Sequence, residues 1–436
     1  MTDARAQPEQ VGRGLGGARR FILDVGVLLA GSVSAQLIVV LAAPALARIF
    51  TPVQFAALAL LTSTFQIVSR FSSAKFETAI ATGRNRPEMA ALALVATVAL
   101  LLVACLCVIG SFLMLPLIVD KIGHSAALVF CIVLPLAVLI DGLIQIAVTW
   151  LVRWREFAAV SSNEVIRNGS SVLTQGGLGL AGFLGTGLLV GHVVGSTLAL
   201  ATLLHRRSVR ELIWRMRRGS ARRMTTVARR YRDFPLYQAP KAVLNAANRN
   251  MPVILIAAFY SAASTGFFFF ALRLTALPAQ LISQSLGRVL LQRFANHWLK
   301  HRQPLTGPLI KSTALFLLPA LPLVAAMYLY GEDLFAFFLG EQWRVAGSMA
   351  AWTALWSAAL IIATPAQMAM IVLRANRSAL IIELIFLPLR LLPFPFFAAK
   401  GEVMAAIAAC SIAGCLFDMA VIGTALTVAR VRGCSR

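Results

Sequence analysis

The sequence predicts an all-α protein that crosses a membrane about twelve times, and three observations carry that reading. Of its 436 residues, 59% are apolar and only 13% charged, with a mean hydropathy of +0.80. A soluble domain holds about 45–50% apolar and about 25% charged residues, so a soluble enzyme, a disordered chain and a disulfide-stapled module are all excluded. Apolar segments of about 20 residues, enough to span a bilayer, recur along the whole chain. The loops between them alternate between arginine-rich and arginine-poor, as the two sides of a membrane protein do.

Taken in order, the expected spans fall near residues 24–47, 55–81, 88–114, 125–151, 158–181, 184–204, 242–260, 265–291, 308–330, 346–373, 378–399 and 402–428. Segments assigned to the inside carry Arg5, Arg13, Arg19 and Arg20, then Arg84 and Arg86, then Arg153 and Arg155. Further along the inside holds Arg293, Lys300 and Arg302, then Arg374 and Arg377, then Arg430, Arg432 and Arg436. The loop 205–232 alone holds eleven arginines. Outside segments hold little: Arg48, Asp120 with Lys121, the group Glu332, Asp333, Glu341 and Arg344, and Lys400. An even number of spans with both termini cytoplasmic follows. The net charge of +23 is therefore read as topology and attraction to anionic lipid, and no nucleic-acid partner is expected. The opening residues are polar and basic and the first apolar run is long enough to remain a span, so no cleavable leader is expected. The six cysteines fit no metal or redox spacing and read as small hydrophobes.

The basic loop divides the chain into an N-terminal set of six spans (1–204), a cytoplasmic linker (205–232) and a C-terminal set of six (233–436). The two sets carry the marks of a repeat. Span 1 leads into span 2 through Phe50-Thr51-Pro52-Val53-Gln54-Phe55-Ala56, and span 7 into span 8 through Tyr260-Ser261-Ala262-Ala263-Ser264-Thr265-Gly266. Each has an aromatic, then a hydroxyl residue, then a small residue six positions after the aromatic. Two such halves would be related by an axis along the membrane normal, an arrangement common in transporters.

A charge at mid-bilayer costs roughly 2.5–3.5 kcal/mol, so each one left there should face a cavity or a partner. Span 2 carries Arg70, Lys75 and Glu77, with Arg70 and Glu77 on one helical face. Span 4 carries Asp141. Span 5 is the wettest, with Asn163, Glu164, Arg167, Asn168 and Gln175 among several serines, and Glu164 and Arg167 are spaced to pair at i,i+3. Span 7 places Lys241, Asn245 and Arg249 on one face, beside Asn248. Span 8 aligns Arg273, Gln280, Gln284 and Arg288 in a stripe roughly 22 Å long. Spans 11 and 12 add Glu383, Arg390 and Asp418. Basic residues within the spans outnumber acidic ones eight to five. A cationic surplus suits an anionic cargo, and guanidinium is the better fork for phosphate oxygens. No Walker loop, H-E-x-x-H or G-x-S-x-G motif is present, and no extramembrane segment is long enough for a catalytic domain. The five histidines are scattered and take no catalytic role in this reading. The expectation is a transporter with no enzymatic activity, metal or cofactor.

Several of these stretches resemble one family. Leu46-Ala47-Arg48-Ile49-Phe50-Thr51-Pro52-Val53-Gln54-Phe55 is similar to the L-x-R-x-[FY]-[ST]-P-x-x-[FY] stretch after the first helix of polysaccharide-transporter flippases. Lys75-Phe76-Glu77-Thr78-Ala79-Ile80 resembles their R-Y-E-x-A-I. The run from Tyr231 to Tyr237, continuing through Pro240, Asn245 and Pro252, resembles the start of their seventh helix, and Gly187–Gly191 and Ala271-Leu272-Arg273 also fit. The likeness covers spans 1–8 by motif and the last four by hydropathy.

This resemblance implies the Wzx-like branch of the multidrug/oligosaccharidyl-lipid/polysaccharide (MOP) superfamily: two six-helix bundles around a vestibule that opens alternately to each side. It implies a flippase moving polyprenyl-pyrophosphate-linked oligosaccharide across a bacterial cytoplasmic membrane, for O-antigen, capsule or exopolysaccharide. Pyrophosphate-binding candidates are then Arg70, Lys75, Arg167, Lys241, Arg249, Arg273 and Arg288. Sugar-contacting candidates are Asn163, Asn168, Gln175, Asn245, Asn248, Gln280 and Gln284. Glu77, Asp141, Glu164, Glu383 and Asp418 are candidates for ion coupling or for structural pairing with nearby arginines. The expected partners are the lipid-linked oligosaccharide, membrane lipids, and a glycan polymerase with its chain-length machinery. The rival readings are a cation-coupled multidrug antiporter of the same superfamily and a membrane glycan polymerase or ligase.

Overall fold

The computed structural model describes residues 15–434 apart from 219, 301–303 and 374. Arg5, Arg13, Arg302, Arg374 and Arg436 lie outside the described residues, as do the side chains of Gln284 and Arg288. Among the described residues the chain is helical with no strand. The first half comprises α1 (Leu15–Ile49), α2 (Pro52–Ser69), α3 (Phe76–Ile80), α4 (Arg86–Leu113), α5 (Leu115–Ile122), α6 (His124–Arg153), α7 (Phe157–Leu180) and α8 (Leu184–Leu204). Two short helices, α9 (Arg207–Arg217) and α10 (Ala221–Arg230), form the basic linker. The second half comprises α11 (Ala239–Phe259), α12 (Ala262–Ala295), α13 (Thr306–Leu339), α14 (Arg344–Val372), α15 (Asn376–Leu391), α16 (Pro393–Ala398) and α17 (Val403–Cys434).

Local chemistry starts these helices where the sequence says it should. Pro52 occupies the first turn of α2, where a missing N–H costs nothing, and Gln54 Oε1 accepts from the Thr51 amide at 2.9 Å. Ser261 caps α12 by accepting from the Ser264 amide at 3.1 Å. The hydroxyl residue common to the two repeated stretches is therefore a helix start in both halves.

Among the described residues eleven helical stretches are long and apolar enough to cross a membrane. The expected fifth span, α7, falls short because it is too polar, yet it runs the full length between α1 and α8. Close approach compensates. A Cβ on Gly195 of α8 would lie 2.6 Å from the Arg167 carbonyl, so α8 rests directly on the α7 backbone.

Two expectations need correction. Span 2 is not one helix: α2 ends at Ser69, and the chain turns through Ala74 and Lys75 at φ 49° and 62° before α3 begins. Arg70 and Glu77 therefore share no helical face. The linker is also not a free loop. Val209, Leu212 and Val227 are buried in the apolar core of the first half, so α9 and α10 dock on its arginine-rich end. Arg86 meets Glu211 at 2.8 Å, and Glu88 accepts from Arg230 and Tyr231 at 3.2 and 3.3 Å.

The core is divided unevenly. At the arginine-poor end one cluster joins both halves: Phe50, Phe55 and Leu58 from the first pack with Ile256, Phe268, Phe270 and Trp343 from the second. Trp343 Nε1 donates to the Ala47 carbonyl at 3.0 Å, and Gln342 Nε2 to the same oxygen at 2.8 Å. A Cβ on Gly266 would come within 1.9 Å of the Pro52 carbonyl oxygen, so only glycine allows α12 to touch α2 there. Toward the arginine-rich end each half keeps a separate core, one around Leu61, Leu92 and Trp150 and the other around Leu290, Phe294 and Phe316. The halves are therefore joined by a common core at one end and keep separate cores toward the other.

Candidate functional site: a basic chamber between the halves

The shared core stops at Ala59 on α2, Val253 on α11 and Ala271 on α12. Charged side chains begin just beyond it, two residues on at Arg273 and four residues back at Arg249. Arg249 lies mid-helix and is exposed, as are Asn245 and Lys241 one and two turns toward the arginine-rich end. A charge in the middle of a spanning helix is expected to face the bundle interior or a water-filled cavity. Its electrostatic neighbours come from both halves: Asp418, Arg390 and Glu383 from the second, Arg70 from the first.

Arg70 links Arg249 to a second group. Asp141 of α6 lies within electrostatic range of Arg167, Arg70 and Glu77. Arg167 Nη1 donates to Asp141 Oδ1 at 3.0 Å. Beyond Arg167 the half-buried His192 of α8 has both Arg167 and Arg273 as electrostatic neighbours, and its ring stands edge-on to Phe65 of α2 at 5.5 Å. Electrostatic coupling thus connects Arg249 to Arg70, Arg70 to Asp141, and both Arg167 and Arg273 to His192.

Not every expected cation contributes equally. Arg167 is neutralised by Asp141, and Lys75 pairs with Glu77 at 3.2 Å. Arg70, Arg249 and Arg273 have no carboxylate within ion-pair distance among the described residues. Arg273 instead lies 5.6 Å from the centre of the Phe269 ring. Three free guanidinium groups, from α11, α12 and the turn after α2, remain to meet an anion.

The acidic candidates divide similarly. Glu164 does not pair with Arg167 as its spacing suggests; it accepts from Ser32 Oγ at 2.6 Å. Glu77 is buried and also accepts from Ser73. Glu383 is buried facing Asn248, Lys241, Arg249 and Asn245. Asp418 is 1% exposed, has Arg390 and Arg249 as electrostatic neighbours, and meets no hydrogen-bond partner among the described residues. Among the described residues no cluster of three metal-ligating side chains forms.

Several expected sugar contacts are occupied by helix pairing. The buried Asn163 amide donates to the Ala199 carbonyl at 2.6 Å, and the buried Gln175 amide to the Leu188 carbonyl at 3.1 Å. Asn168 Nδ2 donates to the Ala35 carbonyl at 2.9 Å. These three fasten α7 to its neighbours, each committing at least one amide N–H to a backbone carbonyl. Asn248 is buried and accepts from Arg390 Nη1 at 2.6 Å. Asn245 is exposed beside Glu383, and Gln280 is half-buried. Arg390, omitted from the expected site, is 2% exposed with its guanidinium 4.1 Å from the centre of the Trp356 ring. His192 was also passed over. Nothing local marks it, because Arg167 comes from the neighbouring α7 and Arg273 from α12 in the other half.

Comparison with known proteins supplies context for this geometry. Residues 45–348 match the profile of a family described as polysaccharide biosynthesis protein. The fold is similar to that of lipid II flippase MurJ in an inward closed conformation, with TM-score 0.71, 14% identity, and 95% of this chain and 90% of that one covered. It is also similar to a multidrug resistance MATE family transporter of the MOP superfamily in an inward-facing conformation, with TM-score 0.65 and 14% identity over 95% and 98% of the two chains. The eukaryotic MATE transporter AtDTX14 aligns with TM-score 0.55 and 14% identity over 96% and 98%. No curated protein sequence matches. At these identities the solved structures establish a shared fold.

Proposed function

The chain belongs to the polysaccharide biosynthesis protein family and is a multi-pass membrane protein with a MOP-type transporter fold, and on that premise we propose that it flips a polyprenyl-pyrophosphate-linked oligosaccharide across a bacterial cytoplasmic membrane. The observation that carries this reading is the trio Arg70, Arg249 and Arg273, three guanidinium groups from both halves with no carboxylate within ion-pair distance among the described residues. The diphosphate is the part of such a cargo that the bilayer rejects, and fixed positive charge in a chamber of low dielectric constant offsets that rejection. On this reading the arginine-rich end faces the cytoplasm, where both termini lie, and the halves receive the headgroup from that side. The lipid tail stays in the membrane between the halves, and Asn245 and Gln280 contact the first sugars. Rocking the halves apart at the arginine-poor end releases the headgroup outward to a glycan polymerase. A cationic drug would meet three guanidinium groups here, which disfavours the multidrug reading.

The test is export of surface glycan by cells whose only copy is a variant. Arg249→Ala and Arg273→Ala are each expected to lower export about ten- to hundredfold, the loss of a hydrogen bond to a charged group. Membrane levels of both should match the parent chain. Normal export by both variants overturns the proposal.

A further inference from the structure

His192 is a half-buried side chain near Arg167 and Arg273 with a sealed ring nitrogen and no evident structural duty. Its Nε2 is sealed from solvent and meets no hydrogen-bond partner among the described residues. The ring is held from one side by Phe65 of α2. The charged groups facing it are Arg167 of α7, itself paired to Asp141 of α6, and Arg273 of α12. Two of these elements belong to the first half and one to the second, so the nitrogen lies at the seam that must open for transport.

An unpaired buried nitrogen carries a penalty. It disappears if the seam parts and an acceptor enters. Between two arginines that acceptor is an anion, since a neutral or cationic group would gain nothing from the neighbours. We propose that His192 is a further arm of the anion site, donating Nε2–H to a phosphate oxygen held by Arg273, beside the Asp141-paired Arg167. This rests on the reading of the chamber as a pyrophosphate site and adds a specificity-determining residue to it. The consequence is conformational as well as chemical. Because the donor is satisfied only when the anion sits between the halves, binding favours the parted seam over the sealed one, as a ligand with differential affinity must.

The test is titration of the purified full chain in lipid nanodiscs with inorganic pyrophosphate, followed by calorimetry. Three variants separate the possibilities. Glutamine carries an amide donor at the reach of Nε2, asparagine stops about one bond short, and phenylalanine fills the space without a donor. His192→Gln is expected to bind within about threefold of the parent, and His192→Asn and His192→Phe about tenfold more weakly, all with unchanged melting temperatures. Should the phenylalanine variant fail to fold, the glutamine–asparagine contrast decides alone. Equal affinity for all variants, or equal loss in glutamine and asparagine, overturns the role of His192 while leaving the chamber intact. Failure of the folded parent chain to bind pyrophosphate at all overturns the chamber reading instead.

Discussion

Asn245 and Asn248 lie three residues apart on α11 and face opposite fates. Asn248 is buried and holds the Nη1 of a fully buried arginine at 2.6 Å, whereas Asn245 is exposed in the chamber. Asn248→Leu removes the partner of a buried charge and should destabilise the protein by about 2–3 kcal/mol, lowering the melting temperature of the detergent-solubilised chain. Asn245→Leu should leave that temperature unchanged, within about 0.5 kcal/mol, while reducing glycan export. A melting curve for each, set beside an export assay, checks both. The contrast also shows what residue patterns can and cannot disclose. Composition made it plain that polar groups in spans 5, 7 and 8 needed partners or water. Which partner each has was hidden, because Arg167 and Asp141 are 26 residues apart and Asn163 and Ala199 are 36 apart, and only helix packing decides such pairs. The i,i+3 spacing of Glu164 and Arg167 offered a local pair that the fold declined.

At the scale of elements, the helices follow from apolar length and from start signals such as Thr51-Pro52 and Ser261. The break after α2 does not, since left-handed Ala74 and Lys75 carry no glycine or proline to announce it. The two repeated stretches, noticed only as a pattern, turn out to touch one another through Gly266 and Pro52. That contact makes a direct prediction. Gly266→Ala places a Cβ where the Pro52 carbonyl already is, so α12 must withdraw from α2. In a background without native cysteines, a cysteine replacing the buried Leu58 should then label several-fold faster with a membrane-impermeant thiol reagent. Gly307→Ala, where nothing lies within 4 Å, should leave labelling unchanged.

At the scale of the molecule, the class and the division into two bundles were legible because a bilayer demands long apolar helices and sorts arginines to one side. The unevenness of the join was not legible, since it depends on which aromatic rings meet across the halves. Phe55 and Phe270 stand 4.6 Å apart, and Trp343 lies 4.4 Å from Phe270. This aromatic clasp bears on how the protein responds to heat. Parting it wets oily rings, and newly wetted apolar surface raises the heat capacity of whatever step wets it. If separation limits turnover, a plot of the logarithm of export rate against reciprocal temperature should bend rather than run straight. Replacing Phe270 and Trp343 by smaller apolar residues should flatten the bend.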